Sequence, residues 1–110
     1  MEVTSIMANG GVIVAVRGEV DLYASPRLRR EIVRWIKERI LSLVVDLSGV
    51  TYMDSSGIAT LVEGLQLSRK YGGRFTIARP GPSIQEVLQF AHLDKVFPIF
   101  GSIEEALEAS

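Results

Sequence analysis

The residues able to do chemistry concentrate in Asp46-Leu47-Ser48-Gly49-Val50-Thr51-Tyr52-Met53-Asp54-Ser55-Ser56-Gly57. An aspartate followed by two hydroxyls and a glycine has the composition of a helix start. Asp54 or Ser55 can cap the first-turn amides, and those amides, with the helix dipole, point at whatever the next hydroxyl carries. A phosphate on Ser56 is chemistry that such a start tolerates. Gly57 leaves space beside that hydroxyl for the approach of another protein. On spacing alone, the plainer reading of a good helix start and nothing more stands ahead of it. Asp46, at the end of an apolar run, is expected to orient the following loop through backbone hydrogen bonds rather than to act as a nucleophile. His92, in Phe90-Ala91-His92-Leu93-Asp94, is expected at a helix end as a surface or capping residue.

The elements that must position these groups follow from periodicity. Residues 3–8 and 12–16 read as two strands, joined through Asn9-Gly10-Gly11, whose residue types supply positive φ for a tight hairpin. Ser25 is placed as an N-cap with Pro26 at the first helical position, and Leu28, Ile32, Ile36 and Ile40 recur every fourth residue on an amphipathic helix beside Trp35. Residues 43–47 form an apolar run without alternation, as in a strand buried on both faces of a parallel sheet. A helix over 56–71 carries Ile58, Leu61, Val62 and Leu65 and stops at Gly72-Gly73. Residues 74–78 read as strand and Arg79-Pro80-Gly81-Pro82 as a rigid turn. Ser83 to Glu86 has the spacing of a capping box, opening a helix with Ile84, Val87, Leu88 and Ala91 on its buried stripe. Residues 96–100, interrupted by Pro98, suit a short edge strand, and Ser102 to Glu105 is a second capping box before a terminal helix. The order ββαβαβαβα predicts an α/β fold with a mixed, mostly parallel sheet in one domain over residues 1–110.

Composition narrows the function. The chain has 110 residues, 47% of them apolar, and a net charge of −1 from 12 basic and 13 acidic groups. Zero cysteines and one histidine leave no disulfide framework, no zinc finger, no thiol catalysis and too few soft ligands for most catalytic metal sites. Half of the basic residues lie between Pro26 and Ile40, but a pI of 5.8 is far below the value of about 9 expected of a nucleic-acid-binding domain. That segment reads as a solvated helix face. The run of about 18 apolar residues that a membrane span needs is missing, and Met1-Glu2 lacks the basic flank of a secretory leader. The expected location is the cytoplasm.

Gly18-Glu19-Val20-Asp21, Asp46-Leu47-Ser48-Gly49-Val50 and Met53-Asp54-Ser55-Ser56-Gly57-Ile58, in this order and spacing, resemble the bacterial anti-sigma factor antagonists built on the STAS domain. The likeness runs over the whole chain. It implies a partner switch: the unphosphorylated form binds an anti-sigma factor, itself an ATP-dependent serine kinase, and so frees a sigma factor. Phosphorylation reverses this, and a separate serine phosphatase restores the active form. The family's phosphoacceptor, the second serine of D-S-S-G, falls on Ser56, and its G-E-x-D aspartate, implicated in partner contact, on Asp21. The partner surface implied is thus Asp21 with Asp54, Ser55, Ser56 and Gly57. No cofactor, metal, direct nucleic-acid contact or membrane insertion is called for.

Enzymes fit less well. Residues 44–51 are similar to the strand and turn of phosphatases with an aspartyl nucleophile, but the second aspartate of that motif is Ser48 here, and 110 residues leave no room for cap insertions. A serine hydrolase would need Gly-x-Ser-x-Gly, which is missing, and a placed base, which His92 is not. A further reading keeps the fold and makes the chain a STAS interaction module of a stressosome or a transporter complex.

Overall fold

The computed structural model describes residues 1–8 and 10–109. Strands β1 (Glu2–Ala8) and β2 (Gly11–Val20) form an antiparallel hairpin. Then follow α1 (Ser25–Lys37), β3 (Ser42–Met53), α2 (Ser55–Lys70), β4 (Arg74–Ala78), α3 (Pro82–Phe90), β5 (Ile99–Phe100) and α4 (Ile103–Glu108). The strands lie side by side in the order β1-β2-β3-β4-β5, with every pair after the first parallel. The element order is the one read from the sequence.

The core has two faces because β3 alternates between them. Val45 packs with Val14 and Ile77 under Leu28, Ile32, Leu61, Leu65, Ile84 and Leu88 from α1, α2 and α3. Its neighbour Val44 points the other way, into a smaller cluster with Ala78 and Ala106 beneath α4. The unalternating apolar run thus has the cause assigned to it, burial on both sides.

The strands are longer than expected. β2 continues to Val20 and β3 to Met53, through residues whose polar and glycine content looks like a loop. The register explains this: Ala15 faces Asp46, Arg17 faces Gly49 and Glu19 faces Tyr52, so β3 carries an extra residue at each of two irregularities. Bulges stretch the period from two towards three. Leu47, Val50 and Met53 are accordingly the buried positions of this stretch, and no alternation marks it in the sequence.

Several local expectations change. Asn9 of the hairpin turn lies outside the described residues, while Gly10 has a φ of +79° as expected. Gly11 is instead a strand residue, where a Cβ would lie 2.7 Å from the Ser42 carbonyl oxygen. Ser25 is the first residue of α1 and is buried, and the N-cap is Ala24, without a side-chain bond. Asp21 serves that turn, its Oδ1 accepting from the amides of Tyr23 at 3.1 Å and Ala24 at 2.9 Å. The Ser83–Glu86 capping box is also absent: α3 starts two residues earlier than that box would set it, at Pro82, with Gly81 as N-cap and no side-chain cap. Proline's preset φ and missing N–H already suit a first turn. At Ser102 half of the box forms: Oγ accepts from the Glu105 amide at 3.1 Å, but the Glu105 carboxylate accepts from that hydroxyl, at 3.0 Å, instead of from the Ser102 amide. β5 keeps two residues, beginning after Pro98, at the sheet edge. His92, exposed and with φ of +59°, follows the end of α3 as expected.

Helix α2 is seated by small residues. Gly57, Thr60, Gly64 and Ser68 are buried beside Leu61 and Leu65, whereas Ile58 and Val62 are half-buried. A Cβ on Gly64 would stand 2.6 Å from Phe75 Cε2 and 3.1 Å from Ile32 Cγ2. Gly64→Ala is therefore expected to destabilise the protein by about 1–2 kcal/mol, because overpacking outweighs the better helix propensity of alanine. Urea denaturation checks this, and a midpoint raised above that of the wild type would refute the packing argument.

Candidate functional site

The site is assembled by the last paired residues of β2 and β3. Val20 faces Met53 in the register, and the Asp54 amide donates to the Val20 carbonyl at 3.2 Å. Asp21 and Asp54 thus leave adjacent strands side by side, although 33 positions separate them in the chain.

Asp54, not Ser55, caps α2. Its Oδ1 accepts from the Ser56 amide at 2.9 Å, the Gly57 amide at 3.4 Å and the Ser56 hydroxyl at 2.5 Å. These donors hold the Asp54 carboxyl below its ordinary range, the Ser56 hydroxyl contributing most, against a smaller opposing effect of desolvation. The sequence allows either Asp54 or Ser55 to cap the first-turn amides, which also favour an anion on Ser56. They are already occupied by Asp54, so a phosphoryl group there loses the hydroxyl proton that Asp54 accepts and must turn outwards, away from a like charge.

The four residues of D-S-S-G have different surroundings. Ser55 is exposed and Ser56 half-buried, with the Ser56 carbonyl accepting from Thr60 Oγ1 at 3.0 Å. Gly57 is buried, and a Cβ would meet Met53 Cγ at 2.6 Å and the Val20 carbonyl oxygen at 3.1 Å. Its missing side chain makes room for the end of the sheet, which corrects the expectation that it opens the approach of another protein to Ser56. Two features were not read from the sequence. Leu22 and Tyr23, 67% and 90% exposed, place apolar surface directly after Asp21, and Thr60 four residues after Ser56 was the available signal for the carbonyl bond.

Asp46 belongs to a separate group. Its carboxylate is buried, accepts from the Ser48 amide at 3.1 Å as expected, and also pairs with both Nε and Nη2 of Arg79, at 3.3 and 2.6 Å. Desolvation alone would raise this carboxyl, but Arg79 and Ser48 together hold it below the usual range.

Residues 3–106 match the STAS domain family. The chain belongs to that family. Its STAS domain is 28% identical over 99 residues to "Anti-sigma F factor antagonist" of Paenibacillus polymyxa, covering 89% of this chain and 85% of the relative. The crystal structure of an anti-sigma factor antagonist from Mycobacterium paratuberculosis superposes with a TM-score of 0.89 at 28% identity, covering 96% of this chain and 90% of that one. The similarity also reaches part of a larger protein: "Probable sulfate transporter 3.5" of Arabidopsis thaliana is 30% identical over 106 residues, which are 91% of this chain and 17% of the transporter. Among the described residues, no helix is long and apolar enough to cross a membrane.

Proposed function

We propose that this STAS domain is a cytoplasmic anti-sigma factor antagonist whose unphosphorylated form binds an anti-sigma factor with serine kinase activity and releases the sigma factor. Phosphorylation on Ser56 ends the binding, and a serine phosphatase restores it. The observation that carries the reading is the Ser56 hydroxyl at the start of α2, held by Asp54 within a complete D-S-S-G. The Paenibacillus relative, matched over most of its length, bears the name of that function. Asp21 and Ser55 flank the hydroxyl and complete the contact surface, with Gly57 setting the depth of the helix start. The chain itself performs no catalysis: it presents an acceptor and a surface, and the kinase supplies the nucleotide and the base.

The test is incubation with an anti-sigma kinase of the same genome and ATP, followed by mass spectrometry. One phosphate on Ser56 is expected, and none on Ser56→Ala. A Ser56→Ala chain still fully modified, with the phosphate on Ser55, Ser48 or Thr51, would refute the assignment. Asp21→Asn separates contact from folding. Asparagine keeps an Oδ1 able to accept from the Tyr23 and Ala24 amides, so the melting temperature is expected to stay within about 2 °C while kinase affinity falls. A large thermal loss with unchanged affinity would make Asp21 a turn residue alone. The second reading, a module of a transporter complex, draws on the similarity to the plant protein; a permease gene beside this one, in place of a kinase and a sigma factor, would favour it.

A further inference from the structure

Beside the Asp54–Ser56 turn, between the start of α2 and α3, runs a groove of about 370 Å³. Met53 and Ile58 form one side and Val87 and Phe90 the other. Phe90, the last residue of α3, is 91% exposed. It lies off the buried stripe of Ile84 and Leu88, so packing within the domain does not require an aromatic ring there. Two charged side chains line the groove, Asp54 and Glu86, and both are acidic. They differ in availability. Asp54 already accepts from the Ser56 amide and hydroxyl and from the Gly57 amide, whereas Glu86 is exposed and in no ion pair among the described residues. Apolar walls with one unengaged anion at the rim complement a segment that presents an apolar side chain flanked by a lysine or arginine.

We propose that this groove docks such a segment of the anti-sigma factor, its apolar side chain against Phe90 and Val87 and its cation at Glu86. The proposal rests on the partner-switch reading above. It divides the interaction into two parts: Ser56 decides whether the surfaces can close, and the groove supplies apolar area and orientation. A phosphate on Ser56 then acts next to the groove without altering its walls.

The test uses Phe90→Ala and Glu86→Lys in the full chain, titrated calorimetrically against the ATP-loaded anti-sigma kinase that modifies the wild type. Both sites are exposed, so both variants are expected to melt as the wild type does. Each is expected to weaken binding by about tenfold or more. Raising the salt should shrink the deficit of Glu86→Lys and leave that of Phe90→Ala, because only the first is electrostatic. Wild-type affinity in both variants would overturn the docking site and leave the partner switch standing. If no anti-sigma kinase of that genome binds or modifies the wild-type chain, the reading falls and the docking site with it. Sedimentation of the chain alone gives a further outcome: a dimer that Phe90→Ala dissolves would assign the groove to a second copy and overturn the proposal.

Discussion

Ser56→Asp is expected to weaken binding to the anti-sigma kinase by about a hundredfold, equivalent to about 3 kcal/mol, whereas Ser56→Ala should stay within a few-fold of the wild type. The asymmetry comes from charge at one position. The hydroxyl donates to Asp54 at 2.5 Å, and a carboxylate in its place can donate nothing and must be desolvated against the partner beside a second carboxylate. Alanine removes one hydrogen bond, worth about 1 kcal/mol, but leaves the two amides that Asp54 accepts. Folding should report a smaller difference of the same sign: Ser56→Asp melts below Ser56→Ala, because like charges meet at the helix start. Calorimetric titration with both variants decides the matter, and equal affinities would sink electrostatic exclusion as the mechanism.

The second large effect concerns stability. Arg79→Ala should cost about 2–3 kcal/mol, less than the loss of one partner from a fully buried ion pair because the arginine side chain is 45% exposed. Asp46→Asn should cost less. The inequality follows from burial: without Arg79 the Asp46 carboxylate remains desolvated with the Ser48 amide as its remaining bond, while without the Asp46 charge Arg79 can turn to water. The two chains should also respond differently to acid. In the wild type the Asp46 carboxyl is depressed, so its contribution is complete above the unfolded carboxylate pKa near 4 and is lost as pH falls through the lower folded value. In Arg79→Ala, Ser48 alone opposes desolvation, so the carboxyl is less depressed than in the wild type and its protonation costs the fold less. Urea midpoints of wild type and variant should therefore converge between about pH 6 and 3. A gap that stays constant over this range would show that Arg79 acts through packing or through its backbone, whose φ is +54° and whose amide donates to the Phe100 carbonyl at 2.8 Å, and not through charge.

Local interactions were legible in the linear chain. The recurrence of Leu28, Ile32 and Ile36 in α1, which ends at Lys37 and so leaves the expected fourth member, Ile40, beyond the helix, the glycine stop of α2, the two-sided burial at residues 43–47 and the capping chemistry at Asp54 each depend on residues within about four positions of one another, where spacing maps directly onto geometry. The ordering of elements followed, and with it a sheet whose central strand delivers Ser56 to a helix N-terminus. What the local pattern could not carry was any choice decided by a distant neighbour. Two bulges, set by pairing between β2 and β3, turned an apparent loop into strand and brought Asp21 beside Asp54. The capping serine expected at Ser25 gave way to Asp21, and the box at Ser83 to Pro82, because Asp21 and the proline ring offered those turns another solution. Gly57 and Gly64 look permissive in the sequence, yet in the fold each is required by a side chain from elsewhere: Val20 and Met53 for the first, Phe75 and Ile32 for the second. Asp46 announced only its bond to Ser48, and Arg79 reached it across the β3–β4 pair. Phe90 is the same case in reverse, an aromatic residue on a helix whose exposure only the packing of α3 reveals. Secondary structure and the acceptor hydroxyl arise from short-range hydrogen bonding and period, whereas close approach, ion pairing and surface exposure are properties of residues far apart in the chain, and only the folded sheet brings those together.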